Sequence, residues 1–581
     1  MARRVNWLWG LGAMLLAIAA GAGAAYWFVG RRGGGGLPVG SQVVPADALM
    51  TITLSTDEAQ WKQMRRFGNR DTQSQMNQYI ATWRDRLLTD AGLDYSEDVA
   101  PWVGNRITMA FLAAATEGDG LDRSEAAPEG ETPNPFDPTL TTLEERGVVW
   151  LLPIAATGNA GAIAEFTRNA TPEPYRGVDL YQFNGGNQSY WAALLDRQLV
   201  AITLSRGDLE AVIDTDAEAP AVADVPGYQQ AIQQVAAPEA FMQVYVNSAA
   251  AAEVAASSAV SGTPPRLTPL RQDSQGVVAT ARLTASGVDI DSATWLKPNA
   301  GQAFTGSTVG DVAAHLPAEA IAVMAGGNLR RLWEHLQQDE EAQGLFSAEN
   351  IRSVVEAFTG LSVVEDLIPW MTDDYALALV TPELESTGSA TAVTLQIKTG
   401  DRALAERTLT QLDDVVRSRY DFQILQNAVD GVPVVQWTSP FAALQVNRTW
   451  VERDRVAITV GESAQSGTAL ADSDLFQQAI VFEGKPSGYF FINPQRLAAL
   501  DRGLPLPSLP PSLQATASAI RAIGLTTTIP SDRVMGFDIT VLLEQLEDAG
   551  TLPPPNLGAL PSGETEAEGD PEAPAGFTAP Q

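Results

Sequence analysis

The chain contains no cysteine in 581 residues. That absence removes disulfides, thiolate metal sites, iron-sulfur clusters and cysteine nucleophiles together. It leaves the redox compartment open, because a cysteine-free chain is safe in oxidising and reducing surroundings alike. Histidine is nearly as scarce, with His315 and His335 alone, and lysine is limited to Lys62, Lys297, Lys398 and Lys485. Positive charge as a whole is short: 37 Lys plus Arg stand against 70 Asp plus Glu, a formal net charge of -33. Such a chain repels phosphate backbones, so nucleic acid is excluded as a partner. Catalytic signatures are missing too: the sequence holds no G-x-S-x-G elbow, no Walker A loop, no H-E-x-x-H and no H-x-E with paired cysteines.

What is present begins with one long apolar run. From Trp7 to Val29 there is no charged residue, and at ~1.5 Å per residue this stretch is long enough to cross a hydrocarbon core of ~30 Å. A cleavable signal peptide would end its apolar region sooner, whereas here the run continues through Tyr26, Trp27, Phe28 and Val29. The expectation is a single transmembrane helix over 7–29 behind a short cytoplasmic N-terminus, 1–6, with the bulk of the chain outside the cytoplasm. A Gly-rich tether, 30–40, follows. At the other end, 547–581 is rich in Pro, Gly and acid, the composition of a disordered tail. The acidic insertion 116–145 has the same character. Its acidic residues lack the D-x-D-x-D-G order and closing Glu of a calcium loop, so it reads as solvated chain.

Between these limits the chain repeats itself. "VPADALMTITLSTDEAQW" from Val44 answers "LPAEAIAVMAGGNLRRLW" from Leu316 without a gap. Further on, "DRQLVAIT" answers "ERDRVAIT", "YQQAI" from Tyr228 answers "FQQAI" from Phe476, and "GVDID" from Gly287 answers "GFDIT" from Gly536, all in the same order. A period this long is too great for a solenoid unit and implies duplication of a whole domain, 41–296 and 312–546, joined by a linker, 297–311. Strand-like runs include Leu49 to Leu54, Ile107 to Phe111, Val148 to Ile154, Val178 to Phe183, Leu194 to Leu204, Phe241 to Val246 and Val277 to Trp295. Helical spacing shows at Met76, Ile80, Trp83, Leu87 and Leu88, and across Ala160 to Asn169 and Tyr228 to Val235. Strands that follow one another without a crossover helix pair antiparallel, so the fold class is α+β: two tandem, homologous mixed α/β-sheet domains with largely antiparallel strands.

One repeated stretch looks chemical. "GLDYSEDVAPW" over 92–102 and "GLSVVEDLIPW" over 360–370 share a Gly, a Glu-Asp pair and a Pro-Trp. The pattern is explained as a helix junction. Gly92 and Gly360 stop one helix, since glycine accepts the left-handed conformation. Asp94 and Ser362 then stand three residues before Glu97 and Glu365, the spacing of a capping box. Asp98 and Asp366 fall in the first turn, where the helix dipole favours negative charge. Pro101 and Pro369 end that turn, and Trp102 and Trp370 enter the core. Elsewhere, Asp289 and Asp291 alternate on one strand face. The second copy has Thr540 where the first has Asp291, which weakens a shared metal site. No catalytic residue, metal ligand or cofactor site is expected.

The anchor, "VPADALMTITLSTDEAQW", "EDVAPWVGNRITMAF" and the second copy together make the chain resemble the bacterial family known as domain of unknown function 3352, frequent in cyanobacteria. The resemblance implies a membrane-anchored extracytoplasmic protein, in the periplasm or, if cyanobacterial, the thylakoid lumen, and brings no activity or cofactor. The functional expectation is a non-enzymatic binding or scaffold protein engaging an unknown protein partner. The alternative is a carrier or sensor of a lipid or other apolar ligand, and the third an enzyme of unknown class.

Overall fold

In the computed structural model the described residues are 37–85, 99–112, 147–155, 170–185, 188–196, 198–237, 239–257, 273–301, 303–338, 347–381, 391–429, 431–440, 444–461, 468–482, 484–500 and 518–554. The apolar run 7–29 and the acidic insertion lie outside them. No helix among the described residues is long and apolar enough to cross a membrane.

The fold is mixed α/β, built on one antiparallel sheet of 20 strands. In chain order these are Met50–Ser55 (β1), Arg106–Phe111 (β2), Val148–Pro153 (β3), Pro172–Tyr175 (β4), Val178–Gly185 (β5), Gln188–Leu195 (β6), Leu199–Thr203 (β7), Met242–Asn247 (β8), Ser274–Leu283 (β9) and Gly287–Leu296 (β10). They continue with Ala320–Gly326 (β11), Tyr375–Val380 (β12), Ala392–Lys398 (β13), Gln423–Val429 (β14), Val432–Thr438 (β15), Gln445–Trp450 (β16), Arg455–Val460 (β17), Gly488–Ile492 (β18), Ile520–Ser531 (β19) and Val534–Leu543 (β20). Two runs that look continuous in sequence are hairpins. Leu194 to Leu204 turns at Asp196, whose φ is 42°, and Val277 to Trp295 turns ahead of Gly287. Short polar turns inside an apolar run leave the hydrophobic pattern almost unbroken, which is why periodicity alone merges such strands.

The pairings set the spatial order β4, β5, β6, β7, β3, β2, β1, β8, β9, β10. It continues β20, β19, β18, β11, β12, β13, β17, β16, β15, β14. The second half runs through the first half's order in reverse, with β11 in the place of β1 and β20 in that of β10. The halves meet at β10 and β20, where Ile290 faces Ile539.

Alternation along each strand divides its side chains between the two faces of the sheet. In β1, Met50, Ile52 and Leu54 point one way, while Thr51 and Thr53 point the other, where the Thr53 and Thr108 hydroxyls meet at 2.7 Å. The first half is covered on both sides. On one face Leu151, Leu180 and Val278 pack under Leu209, Val212 and Ile232 from the helices Arg206–Ala217 and Tyr228–Gln234. On the other, Leu54, Ile107 and Met109 pack with Trp61, Trp102 and Phe241. In the second half Val323, Ala376 and Phe491 form one layer with Leu470 and Phe476. Trp370, Ile397 and Val456 form another with Ala405 and Leu409 from the helix Arg402–Tyr420.

Two segments are more structured than their composition suggests. Within 297–311, Phe304 and Val309 are buried, and their amides bond to the Asp532 and Pro486 carbonyls. The chain after β20 also returns to the first half. Gly68 donates to the Glu544 carbonyl, Leu546 donates to that of Arg66, and the Arg65, Gln73 and Arg84 side chains donate to carbonyls at Ala549, Asp548 and Pro553. Backbone carbonyls as far along as Pro553 are therefore held against the first half. A polar segment can be held this way because its backbone, not its side chains, supplies the bonding groups.

Candidate functional site

Gly92, Glu97 and Asp98 lie outside the described residues, so the junction is visible chiefly in its second occurrence. There the helix Ala348–Thr359 ends at Gly360, whose φ is 69° and whose amide donates to the Glu356 carbonyl at 2.8 Å. Ser362 caps the next turn, its hydroxyl accepting from the Glu365 amide at 3.2 Å. The reciprocal bond comes from Asp366 and not from Glu365: the Ser362 amide donates to Asp366 Oδ2 at 2.7 Å. The reason is the turn itself. Val363–Leu367 is a π turn, in which the Ser362 carbonyl accepts from the Leu367 amide at 3.3 Å as well as from the Asp366 amide at 2.9 Å, and here the carboxylate that returns to the cap stands one place later than in a capping box. Glu365 is left exposed. Pro369 does not simply end the turn; it sits inside a following 3-10 turn, Ile368–Trp370. Its carbonyl accepts from Arg330 at 3.0 Å. Trp370 and Trp102 are 1% and 3% exposed. In the first half Pro101 is exposed, and the Trp102 carbonyl accepts from the Ala155 amide at 2.7 Å. These contacts make the carboxylate of Asp366 a backbone acceptor that closes a turn.

The other acidic candidates have partners of their own. Asp289 accepts from Thr540 across the β10 and β20 pair at 3.1 Å, and Asp291 pairs with Arg282 at 2.9 Å. Among the described residues no group of three or more His, Cys, Asp or Glu side chains is placed to hold a metal ion. His335 is exposed on the helix Leu329–Gln338, and His315 closes a different element, the 3-10 turn Val312–His315.

A buried ionic network that sequence reasoning missed stands at the entry to β12. Asp374 Oδ1 accepts from Arg455 at 2.6 Å, with side chains only 8% and 3% exposed. Arg455 also donates to Glu452 at 3.1 Å, and Glu452 lies 3.2 Å from His315 Nε2. Burial works against the Arg455 charge, but hydrogen bonds and charge from Asp374 and Glu452 outweigh it and hold its pKa above the ordinary value. Hydrogen bonding to Arg455 pulls the Glu452 carboxyl below its usual range. Burial pushes the Tyr489 phenol well up, and the Asp311 charge adds to it. The Asp374–Arg455 pair at the centre of the network is buried and matched in charge, which suits a structural role. Its only sequence signal was Asp374 just ahead of a strand, too common a pattern to single out.

The most open chemistry is apolar. A row of side chains crosses one face of the sheet, strand to directly paired strand. From Ile290 it passes through Ile539, Leu525, Phe490, Met324, Leu377, Leu395 and Ile458 in the second half. In the other direction it passes through Ala281, Met242, Leu54 and Ile107. The first-half arm is covered: Leu54 is 0%, Ile107 2% and Met242 4% exposed. In the second half Met324 and Leu377 are each 37% exposed, and Val393 on the same face is exposed to the same degree. No sequence pattern distinguishes the two arms, because both alternate alike. A separate cleft of about 220 Å³ lies in the first half, polar and lined by Gln60, Gln63, Glu239, Arg282 and Asp289 among others.

The chain belongs to the family described as Protein of unknown function (DUF3352), which it matches over residues 10–543, nearly its whole length. No curated protein matches it. Among solved structures, one titled "Structure of crystal form III of TP0453" is similar over 41% of this chain and 82% of that one, at 11% identity and a TM-score of 0.21. A likeness that slight carries no argument.

Proposed function

We propose that this DUF3352 protein is a single-pass, membrane-tethered envelope protein that binds and does not catalyse, and that it holds the hydrocarbon chain of a lipid on the sheet face of its second half. The observation that carries the reading is the half-exposed arm of the apolar row. From Leu525 to Leu395 the row spans five adjacent strands, which at ~4.8 Å per step is roughly 19 Å. A lipid chain covers about half of a ~30 Å hydrocarbon core, so the lengths are comparable. The row carries no polar or charged group to recognise a headgroup, so selection would rest on the chain.

The sequence supports the membrane setting. The uncharged run Trp7 to Val29 is read as the anchor, and the seven residues from Gly30 to Gly36 reach at most about 25 Å. The folded body would therefore stay close to a bilayer surface on the extracytoplasmic side. We further read the two halves as copies of one ancestral domain, supported by the collinear sequence matches and by a strand order that reads the same from either end of the sheet. On that reading the first copy keeps its row sealed as core, and the second has opened it to a ligand.

Native mass spectrometry of the detergent-extracted full chain should show a copurifying lipid. Leu377→Asp should lose that lipid while leaving the melting temperature nearly unchanged. A clean apo mass for the unaltered chain would sink the proposal, as would turnover of a hydrolase or redox substrate by the purified protein.

A further inference from the structure

The two outer edges of the sheet are built differently, and only one is guarded. β4 is four residues long, places Pro172 and Pro174 on the edge, and carries Glu173 in an ion pair with Arg206. Proline has no N–H to offer and a charged side chain resists burial, so this edge cannot template another strand. β14 at the far end is seven residues, Gln-Ile-Leu-Gln-Asn-Ala-Val, with neither proline nor charge. Among the described residues its backbone is bonded only to β15. Leu425 is 48% exposed, and Gln426, Asn427 and Ala428 are exposed with it. A row of free N–H and C=O groups in an extended, uncharged strand is the template to which another strand adds.

We propose that a second copy of this chain adds across β14, antiparallel and about a two-fold axis near Gln426, so that two sheets become one. Charge selects this place for the pairing of two copies. Each copy carries a net charge of -33 and repels its like over most of its surface, yet β14 and its hairpin partner β15 contain no charged residue at all. The guarded β4 edge forbids head-to-tail addition, so growth stops at a closed pair and does not continue into a filament. The inference is independent of any lipid on the second-half face, and either can fail alone.

The cysteine-free chain makes the test direct. Residues facing each other across an antiparallel pair have Cα atoms ~4.5 to 5.5 Å apart, within the range a disulfide spans. Single cysteines are placed at Leu425, Gln426 and Asn427 in the full-length chain, and membranes are oxidised before non-reducing electrophoresis. The expected result is a species of about twice 61.8 kDa, strongest for the cysteine nearest the axis and absent for Glu173→Cys on the β4 edge. Maleimide labelling before and after urea reports that each variant is folded with its thiol exposed. A folded, labelled, yet monomeric set from 425 to 427 would overturn the proposal. Equal linking from Glu173→Cys would mark mere collision and would also overturn it. A mixed disulfide to a different protein would assign the edge to a foreign strand and refute self-pairing.

Discussion

Leu54, Ile107 and Met242 sit side by side on β1, β2 and β8. The same register in the second half holds Gly326, Tyr375 and Gly488. The backbone scheme is common to both, but the filling is not. In the first half three aliphatic side chains share the space, with Phe241 packed edge-on against Trp61 at 4.7 Å and the Trp61 indole donating to the Ser55 carbonyl at 2.7 Å. In the second half one ring does the filling: a Cβ on Gly326 would come within 2.7 Å of the Tyr375 ring. Burial raises that phenol to about 12. Ser487 precedes Gly488 where Phe241 precedes Met242, and the buried Trp333 indole N–H has no partner among the described residues. Hydrogen-bond pattern and side-chain alternation decide the sheet, whereas volume at a few positions decides how tightly each half is sealed. Both triads are buried, and the apolar row of the second half opens two residues along, at Met324 and Leu377.

The largest effect should come from the polar difference beside these triads. Immediately before Ile107 stands Arg106, which donates to the neutral Gln243 amide oxygen at 3.1 Å and whose pKa is lowered by burial. Immediately before Tyr375 stands Asp374, locked to Arg455. Arg455→Met leaves a buried carboxylate without its counter-charge and should cost ~3 to 5 kcal/mol in urea unfolding at neutral pH. Adding Asp374→Leu should recover most of that loss. Arg106→Met should cost less, about 1 to 3 kcal/mol, because the Gln243 oxygen it bonds is neutral and not a carboxylate. Equal costs at the two arginines would mean that both halves solve the polar problem the same way.

The next effect tests the filling itself. Gly326→Leu installs the first half's residue against the Tyr375 ring and should destabilise by ~1 to 3 kcal/mol through overpacking. Pairing it with Tyr375→Ile recreates the first-half pair, and the double variant should be more stable than Gly326→Leu alone. Additive losses would show that the two fillings are not interchangeable on this backbone.

How much of this was legible in sequence depends on the range of the interaction. The antiparallel α+β class could be read because alternation and short connections are local. The strand order could not, since the meeting of Ile290 with Ile539 joins segments about 250 residues apart and leaves no local trace. The return of residues 547–554 to the first half was hidden for a different reason: Arg65 and Arg84 grip backbone carbonyls there, and every residue type has one. At the repeated junction, Gly360, Ser362 and Trp370 could be placed from their types alone. The exchange of Glu365 for Asp366 could not, because the spacing rule assumes α geometry and the chain makes a π turn.

That exchange gives the smallest predicted effect and the sharpest one. If Asp366 closes the box, Ser362→Ala and Asp366→Ala should each cost about 1 kcal/mol, the usual worth of a cap bond, and the double variant should cost less than their sum because both act on one turn. Glu365→Gln and Glu365→Ala should both be nearly neutral, since that side chain is exposed. Had the turn been α-helical, Glu365 would carry the loss and Asp366 would only feel the dipole, ~0.3 to 1 kcal/mol and screened by salt. Measuring the four single variants at low and high salt therefore separates the geometries: a hydrogen-bonded Asp366 keeps its effect as salt rises, and a dipole-facing one loses it. The same substitutions at Glu97 and Asp98, where Asp94 replaces the cap serine, then show whether the first junction makes the same turn.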